Sequence, residues 1–159
     1  MKTLIQTLLL SFTLFSLPAS ASSQLPDQVL LDLDGNPQPL TQWQGKVVVL
    51  NFWATWCPPC RRELPAFVEV QKEYGSEGVQ FVGVAVDNAK IAKRYSEEQG
   101  LNFPSLQGES QGLELSVALG NQRSVLPYTV IFDRDGKIVS QRRGEIKHKE
   151  LIRTIIPLL

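Results

Sequence analysis

Two kinds of apolar run alternate along this chain. From Lys46 to Trp53 the valines, Leu50, Phe52 and Trp53 follow one another with only Asn51 breaking the run, and Val79 to Val86 is similar, Gln80 aside. Such nearly continuous β-branched and aromatic runs predict strands buried on both faces. Between them the period becomes helical. From Pro58 onward Leu64, Phe67, Val68, Val70 and Tyr74 fall on or near one stripe that Gly75 ends, with Pro65 inside it and expected to kink the helix. Ala89 to Gln99 predicts a polar-rich helix capped by Gly100, and Leu113 to Leu119 a short helix ending at Gly120. Lys147 to Leu158 predicts an amphipathic helix with Leu151, Ile155 and Leu158 on its apolar face. Phe103 to Leu106 predicts a short strand. Tyr128 to Phe132 and Lys137 to Gln141 flank Asp133-Arg134-Asp135-Gly136, a hairpin turn. Near the start, Val29 to Leu33 alternates, Asp34-Gly35-Asn36-Pro37 is a turn, and Gln38-Pro39-Leu40 completes a small hairpin after a mobile polar lead-in at Ser22 to Asp27. The order strand, helix, strand, helix, hairpin, helix predicts an α/β fold with a mixed sheet, in one domain and without repeats.

The first 21 residues have a different pattern. Lys2 precedes an apolar stretch from Leu4 to Leu17, and Pro18-Ala19-Ser20-Ala21 supplies an Ala-x-Ala cleavage site. This is the layout of a secretory signal peptide, and the run is short for a membrane-spanning helix of about 20 residues. A retained anchor is the alternative. The expected mature domain is 22–159, periplasmic or otherwise extracytoplasmic. Loss of 1–21 removes Lys2 and no acid, so 16 basic against 16 acidic residues becomes 15 against 16. A chain so near neutrality, its charges scattered, offers no basic face for nucleic acid.

Candidate chemistry is concentrated in one place. The two cysteines of the chain both lie in Phe52-Trp53-Ala54-Thr55-Trp56-Cys57-Pro58-Pro59-Cys60. A bridge across so short a loop adds little by chain entropy, so stapling does not explain the pair. A Cys-x-x-Cys that follows a strand and opens a helix suits a dithiol that cycles with a disulfide. Cys57 at the helix N-cap becomes the attacking thiolate, and Cys60, one turn on and more buried, the resolving thiol. Pro58 and Pro59 have no N–H to offer the Cys57 sulfur, which leaves the N–H of Cys60 as its main donor. Thiolate stabilisation is then modest and the dithiol a good reductant, although Arg61 and Arg62 pull the other way unless they are simply a solvated face. Trp53 is expected in the core and Trp56 as an apolar wall beside the sulfur. His148 is expected on the surface.

Other chemistries fit poorly. One cysteine pair and one distant histidine fall short of the four ligands of a structural zinc site, so no metal or cofactor is expected. Covalent haem attachment needs His where Arg61 stands. A peroxidase of the peroxiredoxin class would want Thr at position 54, which is Ala. A binding protein with an incidental disulfide is the alternative of another class.

The stretch Val48 to Cys60, Pro127 just before a strand, the Asp-Gly hairpin and the last helix resemble thioredoxin-like proteins. With Leu31-Asp32-Leu33-Asp34-Gly35, Leu40 and Gly45-Lys46, the chain from about Leu30 to Leu158 resembles the exported thiol–disulfide oxidoreductases of the TlpA/ResA type, which include cytochrome c maturation reductases. The resemblance implies a thioredoxin-like fold, a central mixed β-sheet flanked by helices, with an added N-terminal hairpin and an inserted helical segment. It implies a protein-disulfide reductase acting on disulfide-bonded client proteins, recharged by a membrane thiol reductant, and expected as a monomer. A disulfide-donating oxidase is the competing direction.

The resemblance also implies site residues. Pro127 would be cis, exposing the main chain of Leu126 to pair with a substrate strand. Glu63, three residues after Cys60, occupies the place of an active-site acid–base group; a glutamate that merely complements the helix dipole is the alternative. Asn51 stands where thioredoxin has a buried acid and cannot relay a proton, unless it is only a hydrogen-bonded core amide. Tyr128 departs from the family's Val-Pro-Thr pattern and is expected to alter the substrate groove.

Overall fold

Strand β3 (Val47–Trp53) is buried at every residue, as its unbroken apolar run requires. It is the centre of a computed structural model that describes residues 24–159. The predicted signal peptide, 1–21, lies outside the described residues. Alternation along β3 sends Val47, Val49, Asn51 and Trp53 to one face of the sheet and Val48, Leu50 and Phe52 to the other. Each face has its own apolar core.

Before β3, strands β1 (Val29–Leu31) and β2 (Pro37–Pro39) form the expected hairpin, antiparallel with Leu30 opposite Gln38. Asp32 secures its turn by accepting from the N–H groups of Asp34 and Asn36 at 2.9 and 2.8 Å. The lead-in is not mobile at its end: Leu25 is buried and its N–H donates to the Gly136 carbonyl at 2.7 Å. That apolar side chain, between Gln24 and Pro26, ties the segment down.

After β3 come α1 (Pro58–Tyr74), β4 (Val79–Ala85), α2 (Ala89–Glu98), β5 (Ser105–Gln107), α3 (Glu109–Ala118), β6 (Tyr128–Phe132), β7 (Ile138–Arg143) and α4 (His148–Ile155). The sheet order is β5-β4-β3-β6-β7, with β3, β4 and β5 parallel and β6 and β7 antiparallel to their neighbours. This is the expected mixed sheet, and between its strands β4 and β6 the chain runs through α2, β5 and α3. Helix α1 runs through Pro65 as a single element. It ends at Tyr74 with Gly75 as its C-cap, as expected, and a 3-10 turn, Gly75–Glu77, then leads to Gly78 at φ +102. α3 begins four residues before Leu113, because its first turn is polar and docks through the main chain, the Gly108 N–H donating to Ala85 O at 2.8 Å.

The face toward α1 and α4 packs Val49, Phe67, Phe81, Ile131, Leu151 and Ile155. The opposite face packs Leu30, Leu40, Leu50, Val84, Leu115 and Tyr128 under the N-terminal hairpin and α3. Gly83 on β4 makes room for side chains of the neighbouring strands: a side chain there would meet Trp53 Nε1 at 2.8 Å and Ser105 Oγ at 3.0 Å.

Candidate active site

The carboxyl ends of β3 and β4 and the start of β6 share one edge of the sheet, since Phe52 pairs with both Val84 and Tyr128. Residues just after β3 and just before β6 therefore come together there. The first of these segments is the turn Ala54 to Cys57. Its Thr55 donates to Asp87 Oδ2 twice, from the main-chain N–H at 2.9 Å and from Oγ1 at 2.5 Å. Asp87 lies 32 residues away, and no local pattern in the sequence links the two.

Cys57 is the N-cap of α1, in extended conformation, and Pro58 and Pro59 fill the first two helical positions. Among the described residues the only backbone donor to its sulfur is the N–H of Cys60, at 3.3 Å, since the two prolines have none to offer. The cysteines form a disulfide, S–S 2.06 Å. Cys57 is 4% exposed and Cys60 fully buried, in the expected order of accessibility.

Arg61 lies over the Tyr95 ring, and Arg62 forms an ion pair with Glu145 at 2.8 Å, so both guanidinium groups have partners on the protein surface. Trp53 is buried, as expected. Trp56 is 65% exposed and stands in solvent beside the motif. His148 is exposed at the start of α4.

Glu63 lies in the second turn of α1 and is 2% exposed. The helix-dipole explanation fails on this placement, because that field falls off within the first turn. Its Oε1 accepts from Asn51 Nδ2 at 2.8 Å and its Oε2 from the Ile146 N–H at 2.9 Å. Burial pushes its pKa up to about 7, against the two hydrogen bonds that favour the carboxylate; the charge of Glu145 adds to the rise. Asn51 also donates to Thr129 Oγ1 at 3.0 Å. Asn51 and Glu63, singled out separately from the sequence, are thus one buried polar group. Thr129 and Ile146 complete it and carried no sequence signal.

The Leu126–Pro127 bond is cis. Pro127 is buried, its carbonyl accepts from the Gly144 N–H at 2.8 Å, and Leu126 is half-buried. Among the described residues neither main-chain polar group of Leu126 has a partner. Tyr128 does not face this edge. It is fully buried on the α3 side, its hydroxyl donating to Leu119 O at 2.6 Å and its ring 6.0 Å from that of Phe52. The expected change to the groove is therefore wrong, because strand alternation turns this side chain into the core. Among the described residues no group of three or more His, Cys, Asp or Glu side chains could hold a metal ion.

The model of the Redoxin family matches residues 20–155. A thiol–disulfide oxidoreductase ResA of Bacillus thuringiensis (strain Al Hakam) is 35% identical over 129 residues, covering 80% of this chain and 72% of that one. The ResA of Geobacillus thermodenitrificans (strain NG80-2) is 34% identical over 133 residues, 83% of this chain and 74% of its own. Among solved structures, a thiol:disulfide interchange protein of the thioredoxin family from Chlorobium tepidum TLS superposes with a TM-score of 0.75 at 29% identity, over 86% of this chain and 95% of that one.

Proposed function

The chain belongs to the Redoxin family, as a thiol–disulfide oxidoreductase of the ResA type, and on that premise we propose that it works outside the cytoplasm as a reductase of protein disulfides. The carrying observation is the single N–H offered to the Cys57 sulfur. A thiolate stabilised by several N–H groups makes a stable dithiol and an oxidising disulfide. With two prolines in the first turn, and with Arg61 and Arg62 engaged elsewhere, that stabilisation is small and the dithiol gives up its electrons readily.

In the proposed cycle the Cys57 thiolate attacks one sulfur of a client disulfide. A Cys57–client disulfide forms, and the other client sulfur leaves as a thiolate that takes up a proton. Cys60 then loses its proton and attacks the Cys57 sulfur. The Cys57–Cys60 disulfide forms and the second client thiol is released. The client gains two electrons and two protons, and a dithiol donor, expected at the membrane, must return them. Glu63, with a pKa near 7, is suited to exchange a proton with this site at neutral pH. The free main chain of Leu126 before cis-Pro127 is suited to pair with an extended client segment, and Trp56 offers it an apolar surface. The family resemblance makes oxidised apocytochrome c one client class to test. The signal-peptide pattern and a cycle carried by one chain complete the proposal: an exported monomer.

Trapping tests the cycle. Incubated with disulfide-bonded client, reduced Cys60→Ser protein should accumulate a mixed disulfide through Cys57, and reduced Cys57→Ser protein should not. Trapping by the Cys57→Ser protein alone would reverse the roles, equal trapping by both would contradict the assignment of one attacking cysteine, and trapping by neither would remove the cycle.

A further inference from the structure

The cross-strand register continues past Tyr128 to the sheet edge, where Tyr128 pairs with Arg143, the last residue of β7. Arg143 therefore belongs to the same row as Phe52, at the end of the sheet that carries the cysteines. Its guanidinium lies 5.8 Å above the Tyr128 ring centroid and donates to the Gly120 carbonyl. Those contacts fix the group and leave most of its five donors unused.

The loop that leads into cis-Pro127 is equally fixed. Asn121 is fully buried; its Nδ2 donates to Val125 O at 2.9 Å, its Oδ1 accepts from the Val125 N–H at 3.1 Å, and its carbonyl accepts from the Ser124 N–H at 2.9 Å. Within this brace Ser124 takes a left-handed conformation, φ 49, unusual for a residue with a side chain. Such strain is kept where the surrounding structure enforces it, and it clusters at ligand clamps. The result is a rigid loop with Gln122, Arg123, Ser124 and Val125 exposed. Gln122 and Arg123 line, together with Arg143, a depression of about 300 Å³. Arg62, Arg94 and Arg142 each have a glutamate partner. Among the described residues Arg123 and Arg143 have no carboxylate partner, although they share one depression.

We infer that Arg123 and Arg143 form a subsite for an acidic side chain of the client, placed a few residues from the client's reactive cysteine. The inference rests on the reading of Leu126 as the strand-pairing site. A client chain extended along Leu126 passes Arg123, three positions earlier in the sequence, and carries its side chains on alternate sides past the end of β7. A carboxylate in the depression relieves the mutual repulsion of two guanidinium groups and accepts charge-assisted hydrogen bonds from both. The subsite selects among clients by sequence, where the disulfide exchange itself is indifferent to it.

The test uses disulfide-linked peptide dimers with Glu, Gln or Lys at each of several positions on either side of the cysteine. Reduction by the reduced full-length protein is followed as kcat/KM. At one position or more, Glu should exceed Gln by roughly fivefold at low salt, the size of a good exposed ion pair, and the ratio should shrink at raised salt. The ratio should approach one in Arg123→Gln, and Arg123→Glu should instead prefer Lys at that position. A Glu-to-Gln ratio near one throughout, or a ratio unaltered by either substitution, overturns the subsite. Failure to reduce any of the peptides would overturn the reductase reading itself, and the subsite with it.

Discussion

Asn51 Nδ2 donates to Glu63 Oε1 at 2.8 Å, so the central strand and the active-site helix are joined by an amide–carboxyl contact inside the core. The contact explains why an amide serves where an acid would not. Two buried carboxyls facing each other would compete for protons, whereas Asn51 gives the Glu63 carboxylate a donor and leaves one titrating group.

Glu63 should make stability depend on pH. Burial raises its pKa from 4.5 to about 7 in the folded protein. The folded state therefore holds a proton that the unfolded state has lost between those values. The stability it contributes is full below about 4.5 and lost as pH rises to about 7, a difference on the order of 3 kcal/mol. Urea unfolding of the oxidised protein at pH 4.5 and pH 8 should show this loss, and Glu63→Gln should remove most of it. Equal losses in both proteins would mean that Glu63 titrates normally.

The same group should mark the kinetics. The rate of disulfide exchange by the reduced wild type is expected to show an inflection near pH 7 that is absent in Glu63→Gln, where thiol titration alone remains. Superimposable pH profiles would remove Glu63 from the proton transfer and leave it a structural residue.

Asp87 holds the turn before Cys57 through both donors of Thr55. Asp87→Ala should leave the Thr55 N–H without its partner and speed its hydrogen exchange by about tenfold or more, since local opening then costs about one hydrogen bond to a charged group less. An unchanged Thr55 exchange rate in a folded variant would show that the turn is held by other contacts.

Tyr128 bears on folding rather than on recognition. Tyr128→Phe removes the hydroxyl bonded to Leu119 O, but that carbonyl keeps Gln141 Nε2 at 2.7 Å. The expected cost is about 0.5–1.5 kcal/mol of stability, with client reduction unaltered. A changed client preference at full stability would return Tyr128 to the groove.

What could be read from the sequence, and what could not, follows from the range of each interaction. Cys57, Pro58, Pro59 and Cys60 lie within one turn, so the cap, its one donor and the order of burial were all readable. The strands showed because their burial is continuous, and the N-terminal and Asp-Gly hairpins because their turn residues are local. Glu63 was visible as a candidate, but its character comes from Ile146, 83 residues on, and from the face of β3 that Asn51 occupies. The link between Asp87 and Thr55 spans 32 residues and two strand ends. The sequence does not show that Tyr128 points into the core, because a strand's register decides which way its first residue points. The resemblance supplied cis-Pro127, which no composition or periodicity could have indicated.

The most direct test of the proposed direction is the equilibrium reduction potential of the Cys57–Cys60 pair, titrated against defined dithiol buffers. With one N–H on the Cys57 sulfur, the value should lie near that of thioredoxin, about −270 mV, as befits a reductant recharged by a dithiol donor. A value near that of DsbA, about −120 mV, would make the protein a disulfide donor and contradict the role assigned to the two prolines.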